Sequence, residues 1–93
     1  MSDSLFQALE TVHDEVSFLR FVEALERDRR TVETAQITPD GFKGEWANQS
    51  IGEYLEAAAA WAKASEFGSR PGPKHTNLWR LFAQFLIAGR GYE

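Results

Sequence analysis

Few side chains in this 93-residue sequence stand at spacings that could do chemistry, and most of them are charges with no nucleophile beside them. The densest set of cations is Arg70, Lys74, His75 and Arg80, which brackets the start of the last apolar segment. Backbone amides at a helix start, joined by such cations, could hold a phosphate or a carboxylate. A small-anion or nucleotide sensor using residues 68–80 is therefore one expectation. Trp79, Arg90 and Tyr92 add the aromatic and basic interleaving that suits single-stranded nucleic acid, but Trp79 lies among apolar residues and reads better as core.

The carboxylates offer a second possibility. Asp14, Glu15, Glu23, Glu26 and Glu33 stand on or beside one helical segment and could receive a basic protein partner. His13 with Glu10, Asp14 and Glu15 resembles a metal or acid–base cluster, yet neighbours at i+1 and i+3 do not converge as metal ligands must, and a solvated ion-pair site is expected. Glu53 and Glu56 could pair for proton transfer, but Glu53 has a capping role and Glu56 points away from the apolar face. No serine or threonine sits in a nucleophile elbow, and no glycine run has phosphate-loop spacing. With no nucleophile, base and orienting group to assemble, the chain is expected not to be an enzyme, and no cofactor is called for.

Charge is uneven along the chain. Residues 1–67 carry 13 acidic and 6 basic side chains, a balance of −7, whereas residues 68–93 carry 1 acidic and 4 basic, a balance of +3. An acidic majority disfavours a duplex-binding surface, which needs clustered Lys and Arg to displace counterions, so nucleic acid is not the expected partner. Hydrophobic residues at 43% and charged residues at 26% are values of a globular protein, and the length suits a single domain spanning 1–93. The absence of cysteine rules out disulfides and thiolate metal sites and fits a reducing compartment. The opening "MSDSLFQALETVHDE" has acidic residues where a secretory leader would be basic, so the cytoplasm is expected. No membrane span is expected either. The most apolar stretch, Leu78 to Ala88, would rise about 16 Å as a helix against a bilayer core of about 30 Å.

Helical periodicity supplies the elements that must position these groups. Leu5, Phe6, Leu9 and Val12 follow Asp3 and Ser4 as a short first helix. Asp14 is the expected cap of a second helix carrying Phe18, Phe21, Val22, Leu25 and Val32 on one stripe. Its other face pairs Glu23 with Arg27 and Glu26 with Arg30, which makes the "RDRR" run read as solvated decoration. Pro39 and the "PDG" turn chemistry end that helix before "ITPDGFKGEW", which begins at Ile37. Ser50 and Glu53 then form a capping box for a third helix. Here Ile51, Tyr54, Leu55, Ala58, Trp61 and Ala62 share a face, and four consecutive alanines invite a close neighbour. A loop with two glycines and two prolines, "GSRPGPKHTN", precedes a final helix capped by Thr76 or Asn77. That helix is apolar on all but the thin stripe of Arg80 and Gln84 and should sit centrally. Gly89 is expected to end it in a left-handed cap, with Tyr92 folded back over the end. The sum is an all-α, small orthogonal bundle of about four helices, joined in part by Trp46, Trp61 and Trp79.

The pair "WANQSIGEYLEAAAAWAKAS" and "NLWRLFAQFLIAGRGYE" resembles a family of small bacterial proteins known as a domain of unknown function. The shared features are Trp46 and Asn48 ahead of the "YLEAAAAW" helix, then Trp79, Phe82, Ala83, Leu86, Gly89 and the terminal Tyr92 and Glu93. The likeness covers roughly residues 18–93. It implies a helical protein of the bacterial cytoplasm and brings no catalytic residue, cofactor or substrate. The function expected on these grounds is a non-catalytic protein-interaction or regulatory module, such as an immunity-type protein whose acidic surface covers a basic toxin.

Overall fold

The computed structural model describes residues 4–67 and 77–92, and these form four helices: α1 (Ser4–Glu10), α2 (Glu15–Val32), α3 (Ile51–Ala64) and α4 (Leu78–Gly91). The fold is a small all-α bundle, as the periodicity predicts. Among the described residues the nearest thing to a strand is one isolated bridge between Lys43 and Trp46. The "HDEV" segment interrupts the first helical run instead of continuing it. Val12, the last apolar residue of the α1 stripe, lies beyond the helix and is still buried in the core.

Helices α2, α3 and α4 each begin where a side chain can satisfy the first free amides. The Asp14 carboxylate accepts from the Ser17 amide, and the Ser17 hydroxyl accepts from the Asp14 amide in return, a reciprocal cap that starts α2. The Ser50 hydroxyl accepts from the Glu53 amide at 3.1 Å, while the Glu53 carboxylate reaches back one residue further than expected, to the Gln49 amide at 2.9 Å. Asn77 starts α4 by accepting from the Arg80 amide at 3.1 Å, and its Nδ2 donates to the Val12 carbonyl at 2.7 Å. One side chain therefore caps a helix and ties it to the turn between α1 and α2.

Helix α4 is the central element and packs against α1, α2 and α3. The Asn77–Val12 bond and the Phe18–Trp79 ring contact join the starts of α2 and α4. An ion pair from Asp28 to Arg90 joins their ends, so the two helices run in the same direction. Helix α3 runs antiparallel to α4, with the Tyr54 hydroxyl donating to the Leu86 carbonyl at 2.5 Å. The core gathers Leu5, Leu9, Val12, Phe21, Leu25, Trp46, Ala83 and Ile87. Phe21 is fully enclosed.

Three expectations are corrected by the packing. Gly89 is not a left-handed cap: α4 continues through Gly91, and Gly89 is a contact residue. A Cβ there would stand 2.7 Å from the Tyr54 ring and 2.9 Å from the Tyr54 carbonyl oxygen, so only glycine lets α3 approach so closely. The helix can run on because its last carbonyls are satisfied from elsewhere. Asn48 Nδ2 donates to the carbonyls of Gly89 and Tyr92 at 2.9 and 3.2 Å, and the Ala47 amide donates to that of Arg90 at 2.9 Å. The terminal segment is thus docked through its backbone.

The "RDRR" run is the second correction, since its middle is built into the fold and not merely solvated. Asp28 Oδ2 accepts from Trp46 Nε1 at 2.9 Å and from the nearly enclosed Arg90 guanidinium at 3.2 Å. Arg29 lies over the Trp46 ring at 5.2 Å and donates to the Asn48 carbonyl and to Gln49 Oε1. Only the Glu26–Arg30 pair, 3.0 Å apart and exposed, matches the expected surface arrangement. Third, the buried seam of α3 is Ala57 and Ala58 with Tyr54 beside them, whereas Ile51 is 79% and Leu55 is 52% exposed.

Candidate functional site

The residues expected to bind an anion do not form a site among the described residues. Arg70, Lys74 and His75 lie outside them. Arg80 pairs across to Glu10 on α1 at 3.5 Å, and the first free amide of α4 near it is taken by the Asn77 side chain. A helix start already capped in this way has less to offer a phosphate.

The acidic set is divided by its own helix. Asp14 is occupied in capping: the Ser17 hydroxyl donates to it at 2.6 Å and the Ser17 amide at 2.9 Å, and these two bonds, the hydroxyl first, hold its carboxyl below the usual value of 3.8. His13 is tied locally, with Nδ1 2.8 Å from the Thr11 carbonyl and Nε2 3.5 Å from Asp14. Among the described residues no three histidine or acidic side chains converge as a metal would need. Glu26 faces Arg30, and Glu33, which caps the end of α2, faces Arg29 at 2.8 Å. Glu15 and Glu23 stand exposed on α2.

Helical geometry places Glu15, Val22, Glu26 and Glu33 on one strip of α2, at intervals of 7, 4 and 7 residues. Glu23 falls outside it, toward the outer face. Val22, Glu26 and Glu33 of that strip stand in the wall of a groove, and Glu15 continues its line beyond the lining. Helices α2 and α3 both lie against α4 without packing against each other, and the gap between them is about 630 Å³. Val22 and Leu25 line it from α2 with the paired charges Glu26, Arg29, Arg30 and Glu33, Leu86 lines it from α4 and Tyr54 from α3, and Trp46 stands in the same lining. The groove continues past Trp46 and Tyr54 to Ile51 and Ser50 at the start of α3. By helical spacing Leu55 lies one turn along from Ile51 and Phe82 one turn from Leu86, exposed apolar residues next to the lining and not part of it. Phe82 is 44% exposed.

Burial has a chemical consequence on the floor of this groove. The Tyr54 phenol, donating to a main-chain carbonyl away from water, has its pKa pushed up to about 12, so it remains a neutral donor. Nothing in this floor is a nucleophile or a base, and its chemistry is that of an apolar trough with a charged rim. Sequence periodicity found the apolar residues of the trough but assigned them to the core. The available signal was that α3 has a wider apolar arc, from Tyr54 round to Leu55, than one neighbouring helix can cover.

Among the described residues, no helix is long and apolar enough to cross a membrane. In comparison with known proteins, residues 14–93 match a family of unknown function (DUF7660). No curated protein and no solved structure gives a significant match.

Proposed function

The chain belongs to this family of unknown function, and on that footing we propose that it is a non-catalytic protein-interaction module whose working surface is the groove between α2 and α3. The observation that carries the proposal is the gap itself: two helices flank α4 with apolar residues turned toward a space that no element among the described residues fills. A space of this shape takes an amphipathic helix, laid in with anchors at i, i+3 or i+4, and i+7. The occupant is a helix of a basic partner. Its apolar stripe lies over Val22, Tyr54, Leu55, Phe82 and Leu86, and its flanking Lys or Arg residues meet Glu15 and share Glu26 and Glu33 with Arg30 and Arg29, which stand in the same wall. Burial of apolar surface supplies the affinity, whereas the −7 balance of residues 1–67 steers the encounter. An immunity-type role, with a basic toxin as the partner, is one form of this reading.

The test uses synthetic helices of about 18 residues carrying one leucine stripe with flanks of Lys, of Glu or of Gln. The Lys-flanked helix should bind saturably and shift the amide resonances of Val22, Leu55 and Phe82, and its association rate should fall as salt rises. Leu55→Asp should abolish that binding while moving stability by no more than about 0.5 kcal/mol, as expected at an exposed position. Equal binding of all three helices, or shifts confined to another face, would overturn the charge or the location respectively. Concentration-dependent dimers that Leu55→Asp dissolves would instead make a second copy the occupant.

A further inference from the structure

We infer that the cleft on the opposite side of α4 binds a small organic cation of the alkylated-ammonium class, held against aromatic rings between two carboxylates. The inference is independent of the groove. This cleft has a volume of about 860 Å³ and is walled by five aromatic side chains, Phe6, Phe42, Trp61, Phe67 and Tyr92. Glu45 and Glu66 stand in the same lining. Aromatic faces carry negative quadrupole density and attract cations that are weakly hydrated, which favours alkylated ammonium over a compact, strongly hydrated Lys-type group. Carboxylates at the rim add the charge that distinguishes a cation from an equally shaped neutral molecule.

Two features of the wall indicate this ligand class. The first is that the protein already places a cation on one of these rings: the Arg90 guanidinium lies 5.6 Å from the Phe6 centroid. Its charge is committed inward to Asp28 at 3.2 Å, so it does not cancel the carboxylates across the cleft. The second is the way Glu66 is held. Helix α3 ends with the Phe67 amide donating to the Ala62 carbonyl at 2.7 Å and the Glu66 amide donating to that of Lys63 at 3.3 Å, while Phe67 folds back on Trp61 with ring centroids 6.0 Å apart. This double-bonded ending needs a left-handed residue, and Glu66 supplies it at φ 58°. Glycine fills that position without a steric cost. A carboxylate is therefore kept at the wall of an aromatic cleft in a conformation that a simpler residue would adopt more easily, and backbone strain of this kind concentrates at binding sites.

The experiment titrates the whole chain with choline, with tetramethylammonium and with 3,3-dimethylbutanol, the uncharged isostere of choline, while following tryptophan fluorescence and the Trp61 indole resonance. Both cations should bind saturably, with the isostere at least about tenfold weaker. Glu66→Gln should weaken the cations about five- to tenfold and leave the isostere unchanged. Glu66→Gly should weaken them equally and raise the melting temperature, because it removes the left-handed strain along with the charge; that second readout also shows that the variant folds. Equal binding of the isostere, an unchanged cation affinity in Glu66→Gln, or no saturable shift up to about 50 mM choline would each overturn the inference.

Discussion

The two ends of the parallel pair α2 and α4 are held by different physics. Where the helices start, the caps are local, Asp14 with Ser17 and Asn77 with the Arg80 amide, and the longer ties are the Asn77 bond to the Val12 carbonyl, the Phe18–Trp79 ring contact and the part-exposed Arg80–Glu10 pair. Where they finish, the ties are long in sequence and enclosed. Asp28 holds Trp46, 18 residues away, and Arg90, 62 residues away, while Asn48 closes the end of α4 over separations of 41 and 44. A buried charge must find its partner or cost several kcal/mol, whereas an exposed cap can exchange its bond for one to water. The finishing end therefore fixes how the helices meet, and the starting end leaves apolar residues such as Leu78 and Phe82 open to solvent.

The strongest challenge to this contrast is Asp28→Ala. It removes the acceptor of the Trp46 indole and the carboxylate facing a guanidinium whose side chain is 7% exposed. Breaking such an arrangement should lower unfolding free energy by about 3 kcal/mol, with Asp28→Asn costing less because it keeps an acceptor. Glu26→Ala, which opens the exposed pair with Arg30 on the same helix, should cost under about 1 kcal/mol. Urea denaturation of the three variants checks the ordering. Equal losses for Asp28→Ala and Glu26→Ala would return the whole "RDRR" run to surface decoration.

A smaller effect with an informative sign is expected from Gly89→Ala. In an ordinary helix interior this change stabilises by roughly 0.8–1 kcal/mol through propensity alone. Here the added methyl meets the Tyr54 ring at 2.7 Å and a backbone oxygen at 2.9 Å, and the oxygen cannot rotate away. Overpacking of this kind costs about 1–3 kcal/mol, so the net result should be a loss of up to about 2 kcal/mol, read as a lower urea midpoint with little change in slope. A gain in stability would mean that α3 and α4 separate more easily than the geometry allows, and that Gly89 is an ordinary helix-interior glycine and not a close-contact one.

Gly89 also shows where sequence reading reaches its limit. Asp14, Ser50 and Asn77 were legible as caps because the bonds they make close within three residues, and type and spacing alone determine them. The turn at "PDG", in which Gly41 takes a positive φ, is legible for the same reason. Whether Gly89 ends a helix depends instead on Asn48 and Ala47, which satisfy the carbonyls that a left-handed cap would have served. Asp28 likewise looks like any acidic residue in a charged run until Trp46 and Arg90 are brought to it. Ile51 and Leu55 are a third case: periodicity shows an apolar arc, but only the placement of α2 shows that part of the arc faces an open groove. Of the acidic residues of the candidate surface, Glu15, Glu23, Glu26 and Glu33 are exposed while Asp14 is half-buried in its cap, and the separation of a groove-side strip from Glu23 on the outer face needs the three-dimensional arrangement.

At the starting end the contrast predicts a change that is local and depends on pH. Asp14 is held below its usual value chiefly by the Ser17 hydroxyl, then by the Ser17 amide, with His13 and Arg20 adding smaller attractions and a slight burial opposing them. A carboxyl with a lowered folded-state pKa contributes stability that is fully present above its unfolded value and is lost as pH falls through the folded one. The cap should therefore hold unchanged down to about pH 4 and weaken below it, releasing the first turn of α2 before the finishing end responds. Amide exchange read residue by residue resolves this: Ser17 and Phe18 should lose protection in that window while Leu25 and Arg90 keep theirs. Asp14→Asn keeps a side-chain acceptor but has no proton to take up, so its first turn should show no such step. If wild type and Asp14→Asn lost protection together, or if Ser17 and Arg90 opened at the same pH, the two ends would be one cooperative unit and the local character assigned to the α2 start would be wrong.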